Sequence, residues 1–302
     1  MSGTQISLRG VFTPIVASFD ETGVVAHEKM AENLERWNGT GLKGYVVLGS
    51  NGEWVFLDEK ERLEVLETAR QAIGGDKLLI AGAAAESTRH TIALTEAAAT
   101  AGADAAIVVN PSYYRGQMTP PILADYYRAV ADESPIPIVI YNLPPATGID
   151  LPAALLVELS HHPNIIGVKD TGGDVAKMGE TLRQADGSFE VLAGSASFFY
   201  PTQAMGVAGG VLALANIAPD ESVALYDLFH AGLMDEGREL HLRMLPVNLA
   251  VTSRFGVSGL KAAMDMLGFY GGPPRLPLRP LAEQQRGELR SILRQADLLS
   301  SD

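Results

Sequence analysis

Ile165-Ile166-Gly167-Val168-Lys169-Asp170 is an apolar run closed by a pair of charges. Its apolar residues do not alternate with polar ones, the pattern of a strand buried on both faces of a parallel sheet. The run at 136–141 before it, ending Pro137-Ile138-Val139-Ile140-Tyr141, and the run at 190–193 after it read the same way. Working outward, further runs fall at 11–19, 44–48, 78–82, 105–109 and 210–214. The ends of these eight runs are spaced by roughly 20 to 36 residues, the size of one strand-plus-helix unit. Helical signals fill the gaps. Asp58 with Glu61 forms a capping-box pattern, followed by a stripe of Leu63, Leu66, Ala69 and Ile73 that stops at Gly74-Gly75. An Ala-rich helix is expected over 88–101, closed by Gly102, and Leu151-Pro152 opens another that runs to His161.

Eight such units predict an α/β fold of the (β/α)8 TIM-barrel type. A doubly wound open sheet would normally carry a G-x-G-x-x-G turn after its first strand, whereas this first strand ends Phe12-Thr13-Pro14. Beyond about residue 235 the strand pattern stops. Stretches 236–251, 259–267 and 281–299 read as helices, with a Gly/Pro-rich crossing at 271–280. The expected organisation is a catalytic barrel over 1–235 and a C-terminal helical extension over 236–302 packed on it.

The chain has 302 residues, with 36 acidic against 23 basic side chains and a net charge of -13. That balance argues against a nucleic-acid partner, because polyanion binding rests on clustered Lys and Arg. The absence of cysteine excludes disulfides, thiolate metal sites and thiol nucleophiles together. Residues 1–10 are polar and no stretch of eighteen apolar residues occurs, so neither a secretory signal nor a membrane span is expected and a cytoplasmic location is.

Active-site groups of a barrel come from the C-terminal ends of its strands and the loops that follow. Here those are Thr13, Ser50-Asn51-Gly52-Glu53, Asn110, Tyr141-Asn142, Lys169-Asp170-Thr171, Gly194-Ser195 and Asn216. Of the seven lysines, Lys43 and Lys77 precede strands, and Lys29, Lys60, Lys177 and Lys261 fall on expected helices with polar neighbours. Lys169 alone ends an apolar strand. An amine among apolar walls is desolvated, which favours its neutral, nucleophilic form. The competing role is structural, an ion pair of Lys169 with Asp170 or with Glu53. Tyr141 closes the adjacent fifth strand, close enough to shuttle protons beside Lys169, although a tyrosine there can also simply cap the core. The glycines of Gly49-Ser50-Asn51-Gly52-Glu53 permit a tight turn that holds a carboxylate through backbone N–H groups and the Ser50 hydroxyl; an ordinary strand-to-helix turn is the plainer alternative. All six histidines lie outside the strand-end set, so no metal site is expected, and no phosphate-binding glycine loop is present.

Taken in order, Gly49-Ser50-Asn51-Gly52-Glu53, Tyr141-Asn142-Leu143-Pro144, Gly167-Val168-Lys169-Asp170 and Gly209-Gly210-Val211-Leu212-Ala213-Leu214-Ala215-Asn216 resemble the pyruvate-dependent class I aldolases. This is the family of dihydrodipicolinate synthase and N-acetylneuraminate lyase, and the resemblance spans about residues 10–280. Within it, Thr147-Gly148-Ile149-Asp150-Leu151-Pro152, Lys169-Asp170-Thr171-Gly172-Gly173-Asp174-Val175, Leu192-Ala193-Gly194-Ser195-Ala196 and Arg254-Phe255-Gly256-Val257-Ser258-Gly259-Leu260-Lys261 look closest to 4-hydroxy-2-oxoglutarate aldolase.

The resemblance implies that Lys169 forms a Schiff base with a keto acid and that Tyr141 moves the proton at the cleaved bond. It places Ser50 and Asn51 in the carboxylate-binding loop, with the Ser50 hydroxyl linked to Tyr141; from the strand-end set, Gly52, Thr171, Gly194 and Ser195 are the further expected substrate-binding positions. It also implies a tyrosine delivered by a neighbouring subunit, here Tyr113 or Tyr114, and hence a homotetramer. No cofactor is required, since the imine itself accepts the electrons of the broken bond.

One departure bears on the substrate. The synthases usually carry an arginine two residues after the proline of Tyr-Asn-x-Pro, where this chain has Ala146, and Ser50-Asn51 replaces their paired threonines. The reaction expected is cleavage of a 4-hydroxy-2-keto acid, such as 4-hydroxy-2-oxoglutarate, to pyruvate and an aldehyde such as glyoxylate. The alternatives are a dihydrodipicolinate synthase, a 2-keto-3-deoxy sugar-acid lyase, or a noncatalytic barrel that senses a keto acid.

Overall fold

Strand β1 (Gly10–Pro14) stops at a proline, and the rest of the apolar run 11–19 crosses the barrel mouth and ends in an antiparallel bridge between Phe19 and Val25. The strand is shorter than the run because Pro14 has no N–H to continue the ladder. The computed structural model describes residues 6–300; positions 1–5 of the polar N-terminal stretch and positions 301–302 lie outside the described residues.

Seven further strands follow: β2 (Gly44–Val47), β3 (Leu78–Gly82), β4 (Ala105–Val109), β5 (Ile138–Asn142), β6 (Ile165–Asp170), β7 (Glu190–Ala193) and β8 (Gly209–Val211). Each pairs in parallel with the next, and β8 returns to β1, closing a barrel in sequence order. The closure needs glycine. A Cβ on Gly209 would lie 2.0 Å from the Gly10 carbonyl oxygen, so β8 and β1 approach only because that side chain is missing. The eighth run, expected over 210–214, yields only a short strand. Residues 213–216 instead turn in a 3-10 helix, where the Asn216 amide donates to the Pro14 and Ala213 carbonyls.

Alternation sorts each strand into two layers. Phe12, Val46, Ile80, Ile107, Val139, Leu192 and Val211 fill the barrel interior, and Tyr141 joins them at the top. The opposite faces pack on α1 (His27–Asn38), α2 (Glu59–Ala72), α3 (Thr88–Thr100), α4 (Pro120–Glu133), the single turn α5 (Pro144–Thr147), α6 (Ala153–Ser160), α7 (Val175–Gln184), α8 (Ala196–Gln203) and α9 (Pro219–His230). The Asp58–Glu61 capping box forms in both directions, and Gly102, at φ +85, follows α3. On α2 the buried stripe is Val65, Leu66 and Ala69, with Leu63 exposed, because the helix turns a different edge to the barrel than an i+3 count from Leu63 suggests.

Past the barrel come α10 (Met234–Leu249), a π-helical turn (Ala250–Arg254), α11 (Gly256–Met266) and α12 (Glu283–Gln295). Leu260, Met264, Leu289 and Leu293 share one apolar cluster with Ile15, Phe19 and Leu48, so these helices bury their faces against the strand-end side of the barrel.

Candidate active site

The register of β5 on β6 sets Tyr141 opposite Lys169 and Asn142 opposite Asp170. Period-two alternation then sends the first pair into the barrel and the second outward. Lys169 is 3% exposed, and its ammonium lies 4.0 Å from the centroid of the Tyr141 ring. The two carboxylates that might have neutralised it are engaged elsewhere. Asp170 pairs with Lys177 at 2.9 Å, and Glu53 pairs with Lys261 at 2.6 Å. Lys177 and Lys261 do stand on helices, but tertiary partners cover both: the Lys177 side chain is 9% exposed, and Lys261, between Leu260 and Ala262, is 1% exposed. Among the described residues Lys169 has no ion-pair partner.

Ser50 Oγ lies 3.4 Å from the Tyr141 hydroxyl. Burial pushes the Tyr141 phenol up, but the Lys169 charge, with contacts from Ser50, Lys169 and Thr171, brings it below its ordinary value. The phenolate is therefore more accessible here than in an ordinary buried tyrosine.

The other strand-end positions divide. The Asn51 side-chain amide nitrogen is buried without a protein partner, a donor free to meet an acceptor in the site, and the Thr171 hydroxyl sits close enough to Tyr141 to act on its phenol. Gly52 uses its N–H within the turn, donating to the Gly49 carbonyl at 2.9 Å. Gly194 leaves room for Thr171, since a Cβ there would lie 2.3 Å from Thr171 Oγ1. The Ser195 hydroxyl caps α8, accepting from the Ser197 N–H at 3.2 Å, and also accepts from Asn248 on α10. Tyr113 and Tyr114 are 80% and 67% exposed and stack edge-to-face, held by Glu86, whose carboxylate accepts from the Ser112 and Tyr113 N–H groups. Within one chain, neither tyrosine joins the Tyr141 group.

A cavity of about 300 Å³ opens outside Tyr141 and Ser50. Its walls include Trp54, Ala84, Glu86, Val109, Leu143 and Ala146, so position 146 does line this cavity. Arg115, read only as the neighbour of the tyrosine pair, brings its guanidinium over Gly148 beside that wall. Glu86, Trp54, Lys177 and Asn248 were not legible as parts of this region, because each arrives from a helix or loop with no motif of its own.

Residues 7–296 match the family model described as "Dihydrodipicolinate synthetase family". The chain belongs to that family. It is 34% identical over 295 residues to the 4-hydroxy-tetrahydrodipicolinate synthase of Methanothrix thermoacetophila, covering 97% of this chain and 99% of that protein. It is 39% identical over 285 residues to the protein of Emericella nidulans described as "Probable 4-hydroxy-2-oxoglutarate aldolase, mitochondrial", covering 91% of each. Among solved structures, the dihydrodipicolinate synthase from Acinetobacter baumannii, complexed with pyruvate, superposes with a TM-score of 0.90 at 29% identity, covering 97% of this chain and 100% of that one. The chain is accordingly a carbon–carbon lyase of the dihydrodipicolinate synthetase family, on a closed eight-stranded barrel. Among the described residues no helix is long and apolar enough to cross a membrane.

Proposed function

We propose that this lyase works through an imine on Lys169 and cleaves a 4-hydroxy-2-keto acid to pyruvate and an aldehyde. The observation that carries the mechanism is the buried Lys169 amine, without a carboxylate partner, against the Tyr141 phenol. The neutral amine attacks the keto carbon, and loss of water leaves an iminium. Tyr141, as phenolate, takes the proton from the C4 hydroxyl. The C3–C4 bond then breaks, the aldehyde leaves, and the electron pair flows to the iminium nitrogen as an enamine. A proton returned to C3 and hydrolysis of the imine release pyruvate and restore Lys169. The unpartnered Asn51 amide and the Ser50 turn supply donors for the keto-acid carboxylate.

Ala146 supports the cleavage reading over the synthase. A methyl on the cavity wall offers no bidentate charge for the carboxylate of a second substrate. The 39% identity to the Emericella protein points the same way. The synthase is the second reading, and the names of the relatives back it better than cleavage: those from Methanothrix, Natronomonas, Geotalea and Methanoculleus are described as 4-hydroxy-tetrahydrodipicolinate synthase. The exposed Tyr113–Tyr114 pair at the cavity side supports a homotetramer in which one chain supplies a tyrosine to the next.

Assays with 4-hydroxy-2-oxoglutarate, aspartate semialdehyde with pyruvate, and 2-keto-3-deoxy sugar acids separate the readings. Preferred turnover of aspartate semialdehyde would overturn the cleavage assignment in favour of the synthase. Borohydride with pyruvate tests the imine, and a protein left unmodified at Lys169 would sink it.

A further inference from the structure

Two residues outside glycine hold a left-handed backbone on either side of the Ser50 turn: Leu48 at φ 62 and Glu53 at φ 50. Such conformations persist only where surrounding contacts over-determine them. For Glu53 those contacts come from the far end of the chain. Its side chain is 2% exposed, and Lys261 of α11 reaches one carboxylate oxygen at 2.6 Å. The Arg275 N–H donates to the other oxygen at 2.9 Å. Lys261, 1% exposed, also donates to the Pro273 carbonyl and lies 4.3 Å from the centroid of the Phe19 ring. Further along the same loop, the Arg275 guanidinium donates to the Phe56 carbonyl at 2.8 Å and forks onto Glu61. The stretch from Ser50 to Phe56 is thus clamped at two points by residues that follow α10.

A buried ion pair is a poor device for stability alone, since well-packed apolar residues in its place often serve as well or better. What it does supply is direction: an ammonium fixed by Pro273 and Phe19 leaves the Glu53 carboxylate one position. Burial lowers the Lys261 pKa, with Glu53 pulling the other way.

We propose that Lys261 is a positioning residue which, through Glu53, holds the Ser50-Asn51 turn in the shape that receives the keto-acid carboxylate and keeps Ser50 Oγ at Tyr141. The inference rests on the imine reading of Lys169. It makes the C-terminal helices part of substrate binding, although none of their residues touches the substrate.

The test is borohydride trapping of pyruvate on the full-length protein, titrated with pyruvate, in Lys261→Met, Glu53→Gln and the double variant. Lys261→Met alone leaves a carboxylate buried without its cation, so the double variant and Glu53→Gln, which keeps an acceptor for the Arg275 N–H, carry the test if it does not fold. The expected result is a half-saturating pyruvate concentration raised about tenfold or more, with trapping at saturation within about threefold of the parent. A merely structural pair would lower the melting temperature and leave half-saturation unchanged in the folded protein, and that result would overturn the proposal. If the parent protein itself shows no trapping at Lys169, it is the imine reading that falls, so the two failures are distinct.

Discussion

Tyr141 and Lys169 are register partners on neighbouring strands, and the Lys169 ammonium lies 4.0 Å from the centroid of the Tyr141 ring. The next pair in the same register, Asn142 and Asp170, faces the opposite way. There the Asn142 amide donates to Asp170 at 3.0 Å and to Asp150 at 2.7 Å, and Lys177 closes the group by pairing with both carboxylates. One register step thus separates a lone amine inside the barrel from a fully paired ionic group outside it. The outer group fixes the strand ends that carry the inner pair.

Removing the Lys169 amine tests the chemistry without removing a structural partner. Lys169→Ala is expected to lower turnover by at least about a thousandfold. The fold should survive, because no ion pair is broken and a buried amine without a counter-charge is costly to keep. Peptide mass spectrometry after borohydride trapping should find the reduced pyruvate adduct on Lys169 of the parent and nowhere in the variant. Retained turnover in Lys169→Ala would refute the mechanism.

Tyr141→Phe deletes the proton carrier and keeps the ring. Turnover is expected to fall by about 10² to 10⁴, the usual worth of one general acid–base group, while pyruvate is still trapped on Lys169. The phenol also carries a pH signature. In the parent it titrates below its ordinary value, mainly through the Lys169 charge acting against burial. In Lys169→Met burial loses that opposition, so the phenolate absorbance that is missing from Tyr141→Phe should move to higher pH. A shift downward, or none, would show that Lys169 does not set the Tyr141 titration.

The barrel is legible in the sequence because strands buried on both faces appear as unbroken Val/Ile runs, and Lys169 is legible because a charge ending such a run is conspicuous. Lys261 is not. Its own helix segment offers no contrast, and what buries it are Phe19, Glu53 and Pro273, none of them a sequence neighbour. Lys177 is hidden for the same reason, since Asp150 and Asp170 reach it from the loop after β5 and the end of β6. The Gly49–Glu53 motif is visible, but its left-handed Glu53 is not, because nothing local favours that conformation in glutamate. Strand ends are thus readable from local pattern, whereas the supports behind them are set by tertiary partners.

Position 146 offers a direct test of substrate choice. Ala146 lines the cavity, and an arginine there would add a guanidinium to a wall that includes Leu143, Val109 and Glu86. A charge-assisted pair contributes about 1.5–3 kcal/mol, so Ala146→Arg should raise kcat/KM for condensing pyruvate with aspartate semialdehyde by about ten- to a hundredfold. Cleavage of a 4-hydroxy-2-keto acid whose aldehyde half carries no carboxylate should change far less. A coupled assay with both substrates decides it; an equal change in both would mean that residue 146 acts on the shared keto-acid half.

The Arg275–Glu61 fork predicts how stability depends on pH. The side-chain hydrogen bonds from Arg275 hold the Glu61 carboxyl below its ordinary value of 4.5. A carboxylate depressed in the folded state contributes stability that is fully present above its unfolded value and is lost as pH falls through the lower folded value. Part of the stability of the parent should therefore disappear on acidification below about pH 4.5. Arg275→Met breaks the fork and its bonds to the Gly23 and Phe56 carbonyls, and should cost about 2 kcal/mol or more at neutral pH. It should also reduce the acid-dependent share of stability, because Glu61 then titrates nearer its unfolded value. Urea unfolding of both proteins at pH 7 and pH 4 measures the two effects at once. An acid loss in Arg275→Met as large as in the parent would assign that limb to other carboxylates.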